Sequence, residues 1–184
     1  MKGQVAVCAL AATMLFAGCA VEPQAQTHSE GVLPIRMGCE SVETFYSVPL
    51  SAEIQCCIKT LCEEGGIDPA VIIAMAEVES NYDSEALGDG GNSFGLMQIQ
   101  PRWHSERMTA LGVTNLLDPQ QNVKVGIDIL AELVAKYDGN IEMALVAYNA
   151  GPTGAYRHWF SRGVYTSEYS RKVLEISREL KGES

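Results

Sequence analysis

An all-α domain is the fold class this sequence predicts, on three observations. No stretch alternates apolar and polar residues over the length of a strand. Apolar residues recur instead at three- and four-residue steps, as in Val123, Ile127, Leu130, Leu133 and Val134, the period of a helix with one face in a core. Helix starts are also marked. Asp68-Pro69 and Asp118-Pro119 each join a good N-cap to the first helical position, where no N–H is needed. Signals of this kind along the chain predict about six to eight helices.

The elements follow in order. A chain of 184 residues holds one domain with a sizeable core and a short extension. Met1 to Ala20 places one Lys before an apolar run from Val5 to Phe16, then small residues. That is a secretory signal, too short for a comfortable membrane span. Its ending, Phe16-Ala17-Gly18-Cys19, resembles a bacterial lipobox, with Phe16 where Leu is usual. The resemblance implies that Cys19 becomes a lipidated first residue and ties the chain to a membrane. The alternative is ordinary cleavage near Ala20 and release; the mature chain is exported in both cases. Residues 1–19 are thus set aside, and 20–49, polar with Pro23, Gly31, Pro34 and Gly38, read as a flexible tether or a plain extension. As a tether it reaches about 25–30 Å. Residues 50–184 form the domain.

Ser51 caps a helix that Gly65-Gly66 stop. It carries Cys56, Cys57 and Cys62, with Cys39 in the tether. Export permits disulfides, yet neighbours on one helix cannot easily bond each other, and buried thiols are an equal alternative. The helix from Pro69 is apolar nearly all round, which means burial. Glu77 and Glu79 point to nearly opposite sides of it. Glu79 falls between Ile72 and Met75 on the apolar stripe, and Glu77 on the edge that is easier to solvate. A carboxyl on a buried face tends to hold its proton, which a general acid requires near pH 7. The bland alternative is that Glu79 reaches water at a helix end or pairs with an Arg. A turn-rich loop from Ser80 to Phe94 follows, then Gly95-Leu96-Met97-Gln98. Pro101–Leu111 is a short helix. The helix from Pro119 runs to about Tyr137, and Ile141–Tyr148 is helical again, ending at Asn149-Ala150-Gly151-Pro152. Ser167 caps the last helix, which carries Tyr169.

Glu79-Ser80-Asn81-Tyr82, then Gly95-Leu96-Met97-Gln98, then Ala147-Tyr148-Asn149-Ala150-Gly151 stand in order at suitable spacing. Together they resemble the soluble lytic transglycosylase family, lysozyme-like enzymes that cleave peptidoglycan, over roughly Tyr46 to the C-terminus. The resemblance implies a lysozyme-like helical domain of the goose-type lysozyme and lytic transglycosylase kind. It implies that Glu79 acts as acid and then as base, with no second carboxylate. The sugar's acetamido group assists, and its 6-hydroxyl closes a 1,6-anhydro ring at the cleaved MurNAc–GlcNAc bond. It also implies that the Tyr148 hydroxyl points at Glu79, and that Met97 and Gln98 line sugar subsites. Ser80, Asn149 and Tyr169 are further candidates for contacts to substrate. Each has a structural alternative: backbone capping, helix closure and core packing.

One departure stands out. Where the family often has a Ser, this chain has Gly88, and Ser93 or Asn92 is the candidate stand-in. Asp83 or Asp89 could hold a water as a second carboxylate, which would make the chain a hydrolase on the same fold. A non-catalytic wall-binding module is the alternative from another class. Trp103, Trp159 and Tyr156 either stack on sugars or fill core, and His104 and His158 have no partners at motif spacing. A net charge of −10, from 23 acidic and 13 basic residues, argues against a nucleic-acid partner. No metal or cofactor is implied, since no His stands at ligand spacing.

Overall fold

The computed structural model describes residues 45–183; the signal, Cys19 and the tether up to residue 44 lie outside them. Six helices make up most of the domain. The first, α1, spans Ala52–Gly65. Ser51 accepts from the Ile54 amide at its start, and Gly66 closes it in the left-handed conformation at φ 65°. One face of α1 buries Ile54, Cys57, Ile58 and Cys62. Burial pushes the Cys57 thiol up to about 11 and the Cys62 thiol up to about 12, and both stay free. Cys56 is disulfide-bonded.

The stretch just before α1 is held by a buried amide that the sequence reading passed over. Gln55 is 1% exposed. Its Oε1 accepts from the amides of Phe45 and Tyr46, each at 3.0 Å, and its Nε2 donates to the carbonyls of Tyr46 and Leu50, each at 3.1 Å. Residues 45–49, expected to close the tether, are therefore latched onto the domain.

Helix α2 (Pro69–Ser80) is the central element. Asp68 caps it through the Ala70 amide at 2.9 Å, with Pro69 in the first turn. Every residue from Ala70 to Ala76 is buried, as expected of a helix that is apolar on all sides. It ends at Asn81 and Tyr82, both left-handed at φ 52° and 65°. A two-residue ladder follows, β1 (Leu87–Gly88) against β2 (Ser93–Phe94), antiparallel, with Leu87 opposite Phe94. This ladder departs from the all-helical expectation, because two-residue strands are too short to show alternation.

Helix α3 (Pro101–Ala110) is irregular at His104, and α4 (Pro119–Lys136) is capped by Asp118 as its sequence predicts. Helix α5 (Ile141–His158) breaks at Gly151, where φ is 69° and ψ 151°, and resumes through Pro152. Helix α6 (Glu168–Leu180) starts at Ser167 with a full capping box. In the tertiary fold α6 packs along α2 and against α5, while α4 packs on α1 and α5. The core they share is built on fully buried Ile58, Ile72, Met75, Leu96, Met97, Leu130 and Leu145.

Gly126 in α4 makes the room that Met97 occupies. A Cβ there would lie 2.9 Å from Met97 Cγ and 3.0 Å from its Cβ. In an open helix Gly→Ala stabilises by about 1 kcal/mol. Here the sign reverses: overpacking of Met97 makes Gly126→Ala destabilising by about 1–3 kcal/mol, measurable as a lowered urea midpoint.

Candidate active site

Glu79 sits in the last turn of α2, half-buried, below fully buried Met75 and Ile72. Burial raises its carboxyl above the ordinary value of 4.5, and one hydrogen bond to it works in the opposite direction. That bond comes from Tyr169, whose hydroxyl donates to Glu79 Oε1 at 2.6 Å from the first turn of α6. Among the described residues Glu79 pairs with no cation. A carboxyl that is partly desolvated and unpaired holds its proton more readily than a free one.

The phenol that meets Glu79 is therefore Tyr169 and not Tyr148. Tyr148 donates instead to the carbonyl of Met97 at 3.0 Å. It still belongs to the cluster, since the Glu79 charge, after burial, raises both phenols well above 10. Both phenols stay protonated and can only donate toward a carboxylate. The reason for the exchange lies in helix placement. The last regular turn of α5 brings Tyr148 over the Gly95–Gln98 segment, while the antiparallel pairing of α6 with α2 brings Tyr169 to the end of α2.

The Gly95–Gln98 segment is tied down at successive backbone groups. Gly95 adopts φ 70°, and a Cβ on it would strike the Leu116 carbonyl at 2.5 Å and the Asn122 amide nitrogen at 2.6 Å. The Leu96 carbonyl accepts from the Ser80 hydroxyl at 3.1 Å, which is also 3.0 Å from the Ala76 carbonyl. Ser80 thus binds the end of α2 to this segment. The Met97 amide donates to Asn122 Oδ1 at 2.8 Å. Met97, expected to line a sugar subsite, instead has its side chain fully buried against Gly126. What it offers the site is its carbonyl, the seat of Tyr148.

Gln98, in the left-handed region at φ 48°, folds back over the preceding loop. Its Nε2 donates to the carbonyls of Gly95 at 3.0 Å and Ala86 at 3.3 Å. Its Oε1 lies where a side chain at position 88 would begin, 2.0 Å from an added Cβ. This accounts for Gly88 in place of the family's Ser, since the Gln98 amide fills that space. The two candidate stand-ins are engaged elsewhere. Ser93 is buried and accepts from Gln100 Nε2 at 3.0 Å, and Asn92 donates to the Asp89 carbonyl at 2.8 Å.

Asn149 is exposed, and its side chain makes no hydrogen bond among the described residues. Asp83 and Asp89 are exposed too. Asp83 accepts from the Glu85 amide, and Asp89 accepts from Gln100. Glu77 is less solvated than expected, half-buried and accepting from the Tyr82 hydroxyl at 2.8 Å. Trp159 packs against the core, whereas Trp103 and Tyr156 are 71% and 66% exposed.

Asn122 is the residue that sequence reasoning missed. It is fully buried, and besides holding Met97 it donates from Nδ2 to the carbonyls of Phe94 and Leu116, each at 2.8 Å. The only signal for it was a polar side chain one residue before Val123 in an otherwise apolar stripe.

The chain resembles known proteins over most of this domain. It is 33% identical over 118 residues to the transglycosylase of Enterobacteria phage PRD1, covering 64% of this chain and 40% of that one. It is 30% identical over 134 residues to lysozyme g of Gallus gallus, covering 67% and 62%. Against the soluble lytic murein transglycosylase of Salmonella typhimurium the identity is 33% over 99 residues, half of this chain and 15% of that one. The chain thus spans well under two thirds of the length of most of these relatives. In three dimensions it matches lytic transglycosylase Slt of Pseudomonas aeruginosa at a TM-score of 0.59 and 22% identity, over 70% of this chain and 24% of that one. The 70 kDa soluble lytic transglycosylase of Escherichia coli matches at 0.59 and 21%, over 69% and 24%. These likenesses give the fold as lysozyme-like. The Transglycosylase SLT domain model matches residues 56–169, a span that opens in α1 and closes on Tyr169. With more than half its length in that match, the chain belongs to the Transglycosylase SLT domain family.

Proposed function

We propose that this chain is a peptidoglycan lytic transglycosylase in which Glu79 is both acid and base. The observation that carries the reading is the state of Glu79: half-buried, without a cation, raised by desolvation and oriented by the Tyr169 hydroxyl at 2.6 Å. Glycoside cleavage needs a proton on the departing oxygen and stabilisation of the positive charge at the anomeric carbon. Glu79 supplies the first. In this reading, as the family resemblance implies, the sugar's own acetamido group supplies the second. Glu79, now ionised, then takes the proton from the 6-hydroxyl as that oxygen closes onto the anomeric carbon. The bond to the leaving sugar is broken, a 1,6-anhydro bond is formed, and no water is consumed.

Within this reading Tyr169 is a positioning residue. Its hydrogen bond favours the ionised carboxylate, so its removal leaves the acid weaker. Tyr169→Phe is expected to move the alkaline limb of kcat/KM to higher pH, because the protonated acid survives longer as pH rises. An unmoved limb with a lower kcat would mean that Tyr169 only packs. Gln98 and Asn149 are the candidate contacts to sugar. Export and lipid attachment at Cys19 complete the reading, and Cys19→Ala tests them by release of the protein from the membrane fraction.

The decisive experiment is mass spectrometry of fragments released from peptidoglycan, with Glu79→Gln as control. Anhydro ends, lost in the control, support the transglycosylase. Reducing ends would instead make the chain a hydrolase, and would turn attention to Asp83 and Asp89.

A further inference from the structure

The helix pair that carries Glu79 at one end encloses a cleft at the other. Helices α2 and α6 are pinned at both ends, by Tyr169 on Glu79 and by Lys181 on Asp68, the N-cap of α2. The cleft adjoins the second pin, about 16 Å along α2 from Glu79. Its volume is about 520 Å³, within the range of roughly 300–1,000 Å³ usual for ligand pockets. Val71, Val134, Ile141 and Leu174 supply the apolar part of its lining.

The charged lining runs against the character of the chain. In a molecule of net charge −10, Arg171, Arg178 and Lys181 face Asp68 and Glu142 here, three cations against two acids. Lys181 is already engaged, with Asp68 at 3.1 Å and Glu183 at 3.3 Å. The two arginines have no acidic partner among the described residues. Each commits only its Nε, to a carbonyl of its own helix segment: Arg171 to Ser167 and Arg178 to Leu174, both at 3.2 Å. Both arginines are exposed, and their terminal NH2 groups make no hydrogen bond among the described residues. Seven residues apart on α6, the two arginines stand two turns apart, about 10 Å, with Leu174 between them. The first turns of α2 and α5 also border the cleft, and their amide ends favour an anion. The C-terminal ends of α1, α4 and α6 border it too and favour a cation, so the helix ends give no net preference and the arginines alone favour an anion.

We propose that this cleft binds a short acidic peptide carrying two carboxylates. Each arginine fork takes one carboxylate in the planar, two-point geometry that guanidinium offers. The apolar lining takes the intervening side chains, and Glu142 accepts from a peptide amine. For an enzyme of peptidoglycan that peptide is the stem peptide of the wall polymer. This identification rests on the function proposed above, whereas the anion site does not.

The test is calorimetric titration of the full chain with the sugar-free stem peptide, its fully amidated form, and inorganic phosphate. The free peptide is expected to bind saturably and to lose at least about tenfold in affinity in Arg171→Gln/Arg178→Gln. The amidated form is expected not to bind, and Glu79→Gln to bind like the parent. No binding by the parent, equal binding by the double variant, equal binding of the amidated peptide, or full displacement by inorganic phosphate would each overturn the proposal. Because the probe contains no sugar bond, cleavage plays no part in the readout. A chain that binds the peptide through its arginines but cleaves nothing overturns only the lytic reading; one that cleaves but ignores the peptide overturns only this one.

Discussion

Glu79→Gln is expected to lower the release of wall fragments by about a thousandfold or more, toward the upper part of the roughly 10²–10⁴-fold range typical of general acid–base catalysis. The size follows from the double use of one group: the amide can neither deliver the proton to the leaving oxygen nor take one from the 6-hydroxyl. The fold should survive, because the amide oxygen still accepts from Tyr169 and the amide fits the same space. Stability should in fact rise. Burial raises the Glu79 carboxyl above 4.5 in the native state, so between 4.5 and the raised value the native chain binds more protons than the unfolded one. Stability is then lost as pH climbs through that window. Removing the ionisable group removes that loss. The variant should therefore gain in Tm over the parent as pH rises above 4.5, and the gain should level off once the native carboxyl is ionised. The same carboxyl sets the alkaline limb of kcat/KM, where activity falls as the acid deprotonates. A variant that stays within tenfold of the parent, or a stability gain that does not change with pH, would remove Glu79 from the centre of the mechanism.

The second large effect is structural. Asn122→Ala is expected to cost about 2–6 kcal/mol, since it strands the Met97 amide and the Leu116 carbonyl, with about 1–3 kcal/mol for each buried group left unsatisfied, while the Phe94 carbonyl keeps the Ile99 amide at 3.0 Å. That is a large part of the ~5–15 kcal/mol that keeps a domain folded. The loss should also reach function, because the Met97 carbonyl seats Tyr148 and the Leu96 carbonyl seats Ser80. Asn122→Asp gives a sharper test. Its one oxygen still accepts from Met97, but the other faces two carbonyl oxygens where an NH2 had donated. Protonation restores a donor, so the native state holds that proton above the ordinary aspartate range. The variant should be most stable at low pH and lose stability as pH rises through the unfolded value of about 3.9. Unfolding midpoints at pH 4 and pH 7 separate the cases. An Asn122→Asp chain equally stable at both would mean that the carbonyls find water instead.

The legible part of this protein was the part written in neighbouring residues. Asp68-Pro69 and Asp118-Pro119 open α2 and α4 where they were expected, because a cap and a first-turn proline act within a few residues of chain. The burial of α2 was readable from its composition. The placement of Glu79 on the stripe of Ile72 and Met75 was readable from the 100° step of a helix, and both neighbours are fully buried. The joining of three distant motifs was also readable, but as a list of residue types and not as a set of bonds.

Tertiary structure decided the bonds. Which phenol reaches Glu79 depends on how α6 lies along α2: Tyr169 is ninety residues from its partner in sequence and 2.6 Å from it in space. Met97 turned inward because Gly126 leaves a hollow in α4, and Gly88 is bare because Gln98 folds over it. Asn122 and Gln55 looked like ordinary polar residues on helices, yet each holds several backbone groups outside its own helix, those of Met97 and Phe94 at 25 and 28 residues from Asn122. The sequence by itself therefore determined the helices and the carboxyl on the buried face, since those are set by steps of one residue to the next. Only the tertiary structure decided the partners of that carboxyl and the clasp on the loop beside it. A hydrogen bond lives or dies on a few tenths of an ångström, and that distance is fixed by the packing of one helix on another.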